Sequence, residues 1–399
     1  MKTLLLYFQK IVILICFFIT ANVKGQIYLV EEWVQTSGMP DTIDYSASKV
    51  DGSGNIYVTT NTISATEKAN ILTTKYNSAG LVQWEVEKDN ADENDYGSAI
   101  EVDGSGNVNV GAATWVDGTN KYDYLIIKYN SSGTQQWTAT YNGPGNFYDI
   151  PTDIYVDGSG NVYVTGYSYG STTLGDFCTI KYNSSGTTQW TSRYDYASDQ
   201  DAAAIVRSGP GSTVVVIGAS ENTPGDWDFA AVQYNASTGA QVNTNRNSAS
   251  GSGFDQVYSA DVDASGNIYI TGRASVVDEG FNMRTVKLEP DLDLVWAKNH
   301  DHFELDDEAH GVVVDLEDNV YVTGWVTNEN LSKSMLTIKY NSAGTLQWYK
   351  LEEGVSPNLN VTGLKISSID YDNIIVAGNI DNGQSLDFLT VIYNSDGDK

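Results

Sequence analysis

The sequence predicts an all-β fold: a seven-bladed β-propeller of four-stranded antiparallel blades, closed by the N-terminal strand completing the last blade. Three observations lead there. Trp33, Trp84, Trp137, Trp190, Trp296 and Trp348 return at intervals of 51, 53, 53, 106 and 52 residues, and the 106 is two periods with Val242 near its midpoint. Two turn signals recur seven times each along residues 26–399. Helical periodicity is absent from that stretch, and a period of this length filled with short strands and turns indicates radially repeated four-stranded units.

Residues 1–25 read as a secretory signal. Lys2 opens the segment, the apolar run Ile11–Ile19 follows Lys10, and Val23-Lys24-Gly25 ends it as a cleavage triplet. The run is short for a membrane span. Cys16 is followed by Phe17-Phe18-Ile19, unlike a lipoprotein site. Cleavage leaves Cys178 as the one cysteine, so the mature chain has no internal disulfide. The formal charge of -29 becomes about -32 once the three leader lysines are gone. Such a chain repels nucleic acid and anionic membrane surfaces, which require Lys/Arg patches. It is compatible with cations, basic proteins and neutral sugars, and acidity also serves solubility.

The third copy shows the unit. Two β-rich runs within 152–166 flank Asp157-Gly-Ser-Gly-Asn161, where Gly supplies positive φ and the Asp and Asn side chains bond their own backbone. A polar loop leads to the run 176–183, then Ser184-Ser-Gly186 turns the chain into 187–194 with Trp190. These are four antiparallel strands in chain order. The repeats lie near 35–84, 85–137, 138–190, 191–242, 243–296, 297–348 and 349–399, the last completed by 26–34. The fourth departs most, with Arg207 for Asp, Gln233 for Lys and Val242 for Trp. In the second copy Leu125-Ile-Ile-Lys-Tyr129 is apolar on both faces, so blades must stack to be buried. Closing the ring removes the exposed ends, with Ile27–Val34 as the latch.

The runs Asp157–Gly166 with Lys181–Trp190, and Asp315–Gly324 with Lys339–Trp348, resemble the bacterial β-propeller repeat family labelled SBBP. The resemblance implies the fold and an exported bacterial setting, and no common reaction. The Gly-x-x-x-Trp hairpin is similar to the tryptophan-docking turn of quinoprotein propellers, where an outer-strand Trp lies flat across the neighbouring blade. No metal, catalytic acid or ring contact for a quinone is singled out.

Several residue sets are candidates for function. Asp44, Asp95, Asp149, Asp199 or Asp201, Asp255, Asp307 and Asn360 stand just before the channel-lining strands. Repetition would gather Asp95, Asp149, Asp255 and Asp307 at one channel mouth, where calcium, a hard cation taking several oxygens, is the one cofactor they would suit; the alternative is that each bonds local backbone amides. His300 and His302 alternate beside Glu304, Asp306 and Asp307 and could share a metal, or be polar loop residues with His310 nearby. Trp115, Tyr169, Trp227 and Trp325 lead the loop-face aromatics that would hold a ligand. Lys75, Lys128, Lys181, Lys287 and Lys339 recur inside the third strands and read as structural ion pairs, with acids just before the strand (Asp123, Asp176) or in the adjacent hairpin, since a catalytic lysine is normally unique.

The expectation is a secreted or cell-surface monomeric scaffold that binds a protein or glycan on its loop face without catalysis. The alternative is a carbohydrate-active enzyme, a glycoside hydrolase or lyase, with acids at the channel mouth. A structural module of a larger surface assembly is the third reading.

Overall fold

The computed structural model describes residues 11–19, 29–38, 47–63, 68–89, 94–116, 121–196, 201–209, 211–249, 253–354, 359–368, 372–381, 383 and 385–399. Among these every regular element is a strand. Seven antiparallel sheets follow one another. Sheets I to VI have four strands each, over 47–88, 95–141, 149–194, 201–247, 256–300 and 308–352, and sheet VII has three, over 361–394. Within each sheet the strands pair in chain order. The predicted four-strand unit therefore holds in six sheets.

Among the described residues the last sheet has no fourth strand. The segment expected to supply it falls in Leu29–Gly38, which pairs instead with Ile11–Ile19, placing Trp33 opposite Cys16. Two β-prone runs joined by a short connection close a small loop, which costs less entropy than reaching the far end of the chain. The expected cleavage triplet at 23–25 and residues Ile27, Asp44 and Asp199 lie outside the described residues.

The chain divides into two compact units, 1–171 with 180–189, and 172–179 with 190–399. Sheets I and II lie in the first, sheets IV to VII in the second, and sheet III has residues in both. Inside each unit the opening strand of a sheet lies across the face of the sheet before it. In the first unit Tyr57 and Ile71 of sheet I pack with Ile100, Val110, Leu125 and Ile127 of sheet II. In the second, the same layering joins sheets IV to V, V to VI and VI to VII. Tyr124–Tyr129 are all buried, as a strand apolar on both faces requires.

Two devices repeat. In the first hairpin Asp51 Oδ1 accepts the amides of Ser53 and Asn55, both at 2.9 Å, and Oδ2 accepts the Asn55 side-chain amide at 2.8 Å. Asp103, Asp157, Asp263 and Asp315 do the same. The turn needs positive φ at its fourth residue, which is Gly54 at 77° in sheet I and Asp318 at 61° in sheet VI.

The second device links consecutive sheets. The indole N–H of Trp84 donates to the Ser131 carbonyl at 3.1 Å, in the second hairpin of sheet II. Trp137, Trp190, Trp296 and Trp348 reach Ser184, Ala236, Ser342 and Ser395 in the same way. Each ring covers a positive-φ glycine of that hairpin; a Cβ on Gly186 would stand 2.6 Å from the Trp137 ring. At Val242 the device changes on both sides. The hairpin of sheet V has Leu292, not Gly, at φ 70°, and its side chain is buried in the core between sheets IV and V.

Candidate functional site

The four aspartates expected at a channel mouth are spread one to a sheet and fully buried. Asp149 Oδ2 accepts the Gly143 amide at 2.6 Å. Asp255 accepts the amides of Ala249 at 3.3 Å and Ser275 at 2.9 Å. Asp307 accepts those of His302 at 2.7 Å and Thr327 at 2.9 Å. In Asp255 and Asp307 one oxygen therefore holds the incoming connector and the other the second strand. Asp95 opens its strand opposite Thr114 in the same register. Burial pushes the Asp255 and Asp307 carboxyls up to about 7, against the pull of those amides. In sheet VII the register position belongs to Val361, opposite Ile380, rather than to Asn360. Among the described residues no group of three or more His, Cys, Asp and Glu gathers to hold a metal.

The histidines part company because the strand Leu294–His300 ends at His300. His300 sits 6.2 Å from the Tyr349 ring, and burial lowers its pKa. The His302 ring meets Phe303 edge-on at 4.3 Å, where the backbone turns through positive φ at Phe303 and Glu304.

The strand-three lysines find tyrosines more often than acids. Lys75, Lys181, Lys287 and Lys339 lie 5.0–5.1 Å over the rings of Tyr57, Tyr163, Tyr269 and Tyr321. Lys287 and Lys339 also donate to the carbonyls of Ser342 and Ser395. Lys128, with Asn109 as its cross-strand neighbour, stands 3.7 Å from Asp103 of its own first hairpin. Asp176, expected to meet a lysine, pairs with Arg193 at 2.5 Å.

Of the predicted ligand aromatics, Trp115 and Tyr169 belong to one run of rings in the first unit. Trp115 meets Tyr122 edge-on at 4.8 Å. Tyr122 is flanked by Tyr96 at 5.7 Å and stacks with Tyr148 at 6.3 Å. Tyr148 leads to Phe147 at 4.6 Å, and Phe147 to Tyr169 at 4.8 Å. A cleft of about 200 Å³ opens beside Tyr96 and Tyr122, with Ser98, Ala113 and Ile150 completing its lining. Trp227 and Trp325 lie in the second unit. Trp227 bridges to Phe254, with the rings 5.7 Å apart. Trp325 is 8% exposed, not an open platform, and Lys333 Nζ stands 3.1 Å over its ring.

A cluster in the second unit escapes the sequence patterns. Each opening strand bulges at one residue: Ser98, Thr152, Ala204, Tyr258, His310 and Leu364 in sheets II to VII. In sheets V and VI that residue is an aromatic and an imidazole, stacked 4.5 Å apart at 16°. His310 Nε2 is 3.0 Å from Glu308 Oε2, and Arg273 Nη1 is 2.5 Å from Glu308 Oε1. The Arg273 guanidinium lies 4.4 Å from the Phe281 ring centroid. Burial raises the Glu308 pKa, but the His310 and Arg273 contacts outweigh it and hold the carboxylate below its usual range. Burial and the Glu308 charge push Tyr258 up to about 12. Three residues beyond the strand-opening Asp the chain reads Ser98 and Thr152, then Tyr258 and His310, but the spacing alone does not tell that these positions bulge and align.

With that geometry in place, residues 136–171 match the model described as a β-propeller repeat, SBBP. That stretch therefore carries one β-propeller repeat. Solved structures similar to this chain share its fold at low identity. A polysaccharide lyase, an ulvan lyase bound to -[GlcA(1-4)Rha3S]-, has a TM-score of 0.50 at 13% identity over 87% of this chain and 91% of that one. The quinohemoprotein alcohol dehydrogenase ADHIIG of Pseudomonas putida HK5 has 0.51 at 11% identity over 87% and 66%. Sqt1 from Chaetomium thermophilum has 0.50 at 8% identity over 81% and 76%. No curated protein matches the chain. No helix among the described residues is long and apolar enough to cross a membrane.

Proposed function

We propose that this β-propeller repeat protein is an exported, non-catalytic scaffold that holds a protein or glycan on its loop face. The observation that carries the reading is the run of rings from Tyr96 through Tyr122 and Tyr148 to Tyr169. These rings are partly exposed, whereas the docking tryptophans hold neighbouring sheets together. Export rests on Lys2, Lys10 and the apolar run Ile11–Ile19. Removing that run would free Leu29–Val34 to become the fourth strand of sheet VII. The strand-opening aspartates serve as staples between connector and sheet. Millimolar calcium then leaves the melting temperature unchanged; a rise would restore the cation site.

A second reading, a carbohydrate-active enzyme, is favoured by the His310–Glu308 contact beside Arg273 and Tyr258, which could position an imidazole for proton transfer. A glycan array with a panel of chromogenic glycosides and uronate polymers separates the two. Binding without turnover supports the scaffold. Turnover that His310→Ala abolishes supports the enzyme.

A further inference from the structure

We propose that the cleft beside Tyr96 and Tyr122 holds one pyranose ring of a neutral glycan, whose next sugars run along the rings of Tyr148, Phe147 and Tyr169. The inference rests on the binding reading above and names its ligand class.

Size is the first argument. A dry cavity of about 150 Å³ takes a benzene, and drug-sized ligands occupy roughly 300–1,000 Å³. At about 200 Å³ the cleft suits a single six-membered ring. Its lining is the second. Tyr96 and Tyr122 offer aromatic walls, and Ala113 and Ile150 an apolar floor. The negative face of an aromatic ring attracts polarised C–H bonds, which a pyranose presents on its flat side while its hydroxyls project from the edge. Ser98 spends its proton on the Pro151 carbonyl at 2.7 Å, so its oxygen lone pairs can accept from a sugar hydroxyl.

Rigidity is the third argument. Tyr122 is contacted by Trp115, Tyr96 and Tyr148, so little rotamer freedom is left to lose on binding. Charge is the fourth. The chain carries a net -29, Asp95 and Asp123 lie on the strands that bear Tyr96 and Tyr122, and Asp149 directly follows Tyr148, with Lys121 beside Tyr122. Burial and the neighbouring Asp149 push the Asp123 carboxyl up to about 6, so an added anion is unwelcome here. This surface disfavours sulfated or uronate polymers and favours a neutral chain. A proline-rich peptide also docks on aromatic grooves, but a cleft of about 200 Å³ suits a single ring-sized group with polar edges rather than an extended chain.

The test uses the full chain, titrated by calorimetry with neutral hexose oligosaccharides, uronate oligosaccharides and a proline-rich peptide. Neutral oligosaccharides bind, and Ala113→Leu, which fills the cleft, weakens them at least roughly tenfold. Tyr96→Ala, at a half-exposed position, does the same and guards against a folding defect in the first variant. Tyr169→Ala weakens long oligosaccharides and leaves a monosaccharide unchanged. Preference for uronates or the peptide overturns the ligand class. Neutral-glycan binding that survives both cleft variants overturns the site while the scaffold reading stands. Absence of any glycan binding on this panel and on an array overturns the inference, and absence of protein partners as well overturns the scaffold reading.

Discussion

The indole of Trp137 occupies the space a Cβ on Gly186 would need, so the two residues form one interaction. Trp137→Ala costs about 3 kcal/mol, the lower end for a large aromatic because the ring is only half-buried. Gly186→Ala costs more than about 1 kcal/mol, since φ is 82° there and the methyl meets the ring. Denaturant unfolding of the double variant should show less than the sum, because the second change strikes a contact already lost; strict additivity would mean that the pair is not coupled. Buried carboxyls make a second prediction. Asp255 and Asp307, at about 7 when folded, retain a proton that the unfolded chain releases near pH 3.9. The fold binds the extra proton between those values, so raising pH from about 4 to 7 removes stability. The turn aspartates act oppositely. Although burial raises their pKa, hydrogen bonds from Asn and backbone amides hold Asp51, Asp103, Asp157 and Asp263 below the usual value, and that stability disappears as pH falls below about 4. The melting temperature therefore peaks in mildly acidic buffer. Asp255→Asn with Asp307→Asn flattens the decline toward neutrality, and an unchanged slope would refute the assignment.

The second hairpin is the element that the preceding sheet's indole covers, and sheet V, where no indole arrives, shows how tightly its parts are matched. Val242 stands 56% exposed where a docking indole would be, and Leu292 fills the core from the glycine position. Leu292→Gly alone costs about 3 kcal/mol through the cavity left behind, and Val242→Trp alone meets a side chain where it needs bare backbone. Combined, they should recover at least about 1 kcal/mol of their summed cost in a denaturant series; no recovery would show that the two sites are independent. Val242 was visible in the sequence as a gap in the period, but Leu292 was not visible as its partner, because nothing in a linear pattern says which hairpin a tryptophan will cover. Strand order and turn positions were legible for a related reason. They are set within 15 residues or so by glycine, Asx chemistry and alternation. The role of Asp255 and Asp307 was open, since amide acceptance and cation binding use the same residue type. The Tyr258–His310 stack depends on a bulge register that only the paired strands reveal.

At the scale of the molecule, the three-stranded sheet VII is where the strand proposed above, Leu29–Val34, would be added. In the chain lacking residues 1–25, Trp33→Ala should lower the melting temperature more than Tyr169→Ala does; equal melting would overturn that added strand. The indole contacts have a further consequence. Every one points from a sheet to its successor, so repeats are interchangeable parts with a plug on one side and a socket on the other. A duplicated copy could be spliced in at most joints without leaving either mismatched. The joint between sheets IV and V is keyed differently: a standard copy inserted there would offer its glycine socket to a chain with no plug, and its own plug to a socket already filled by Leu292. Those two repeats can be gained, lost or moved only as a pair.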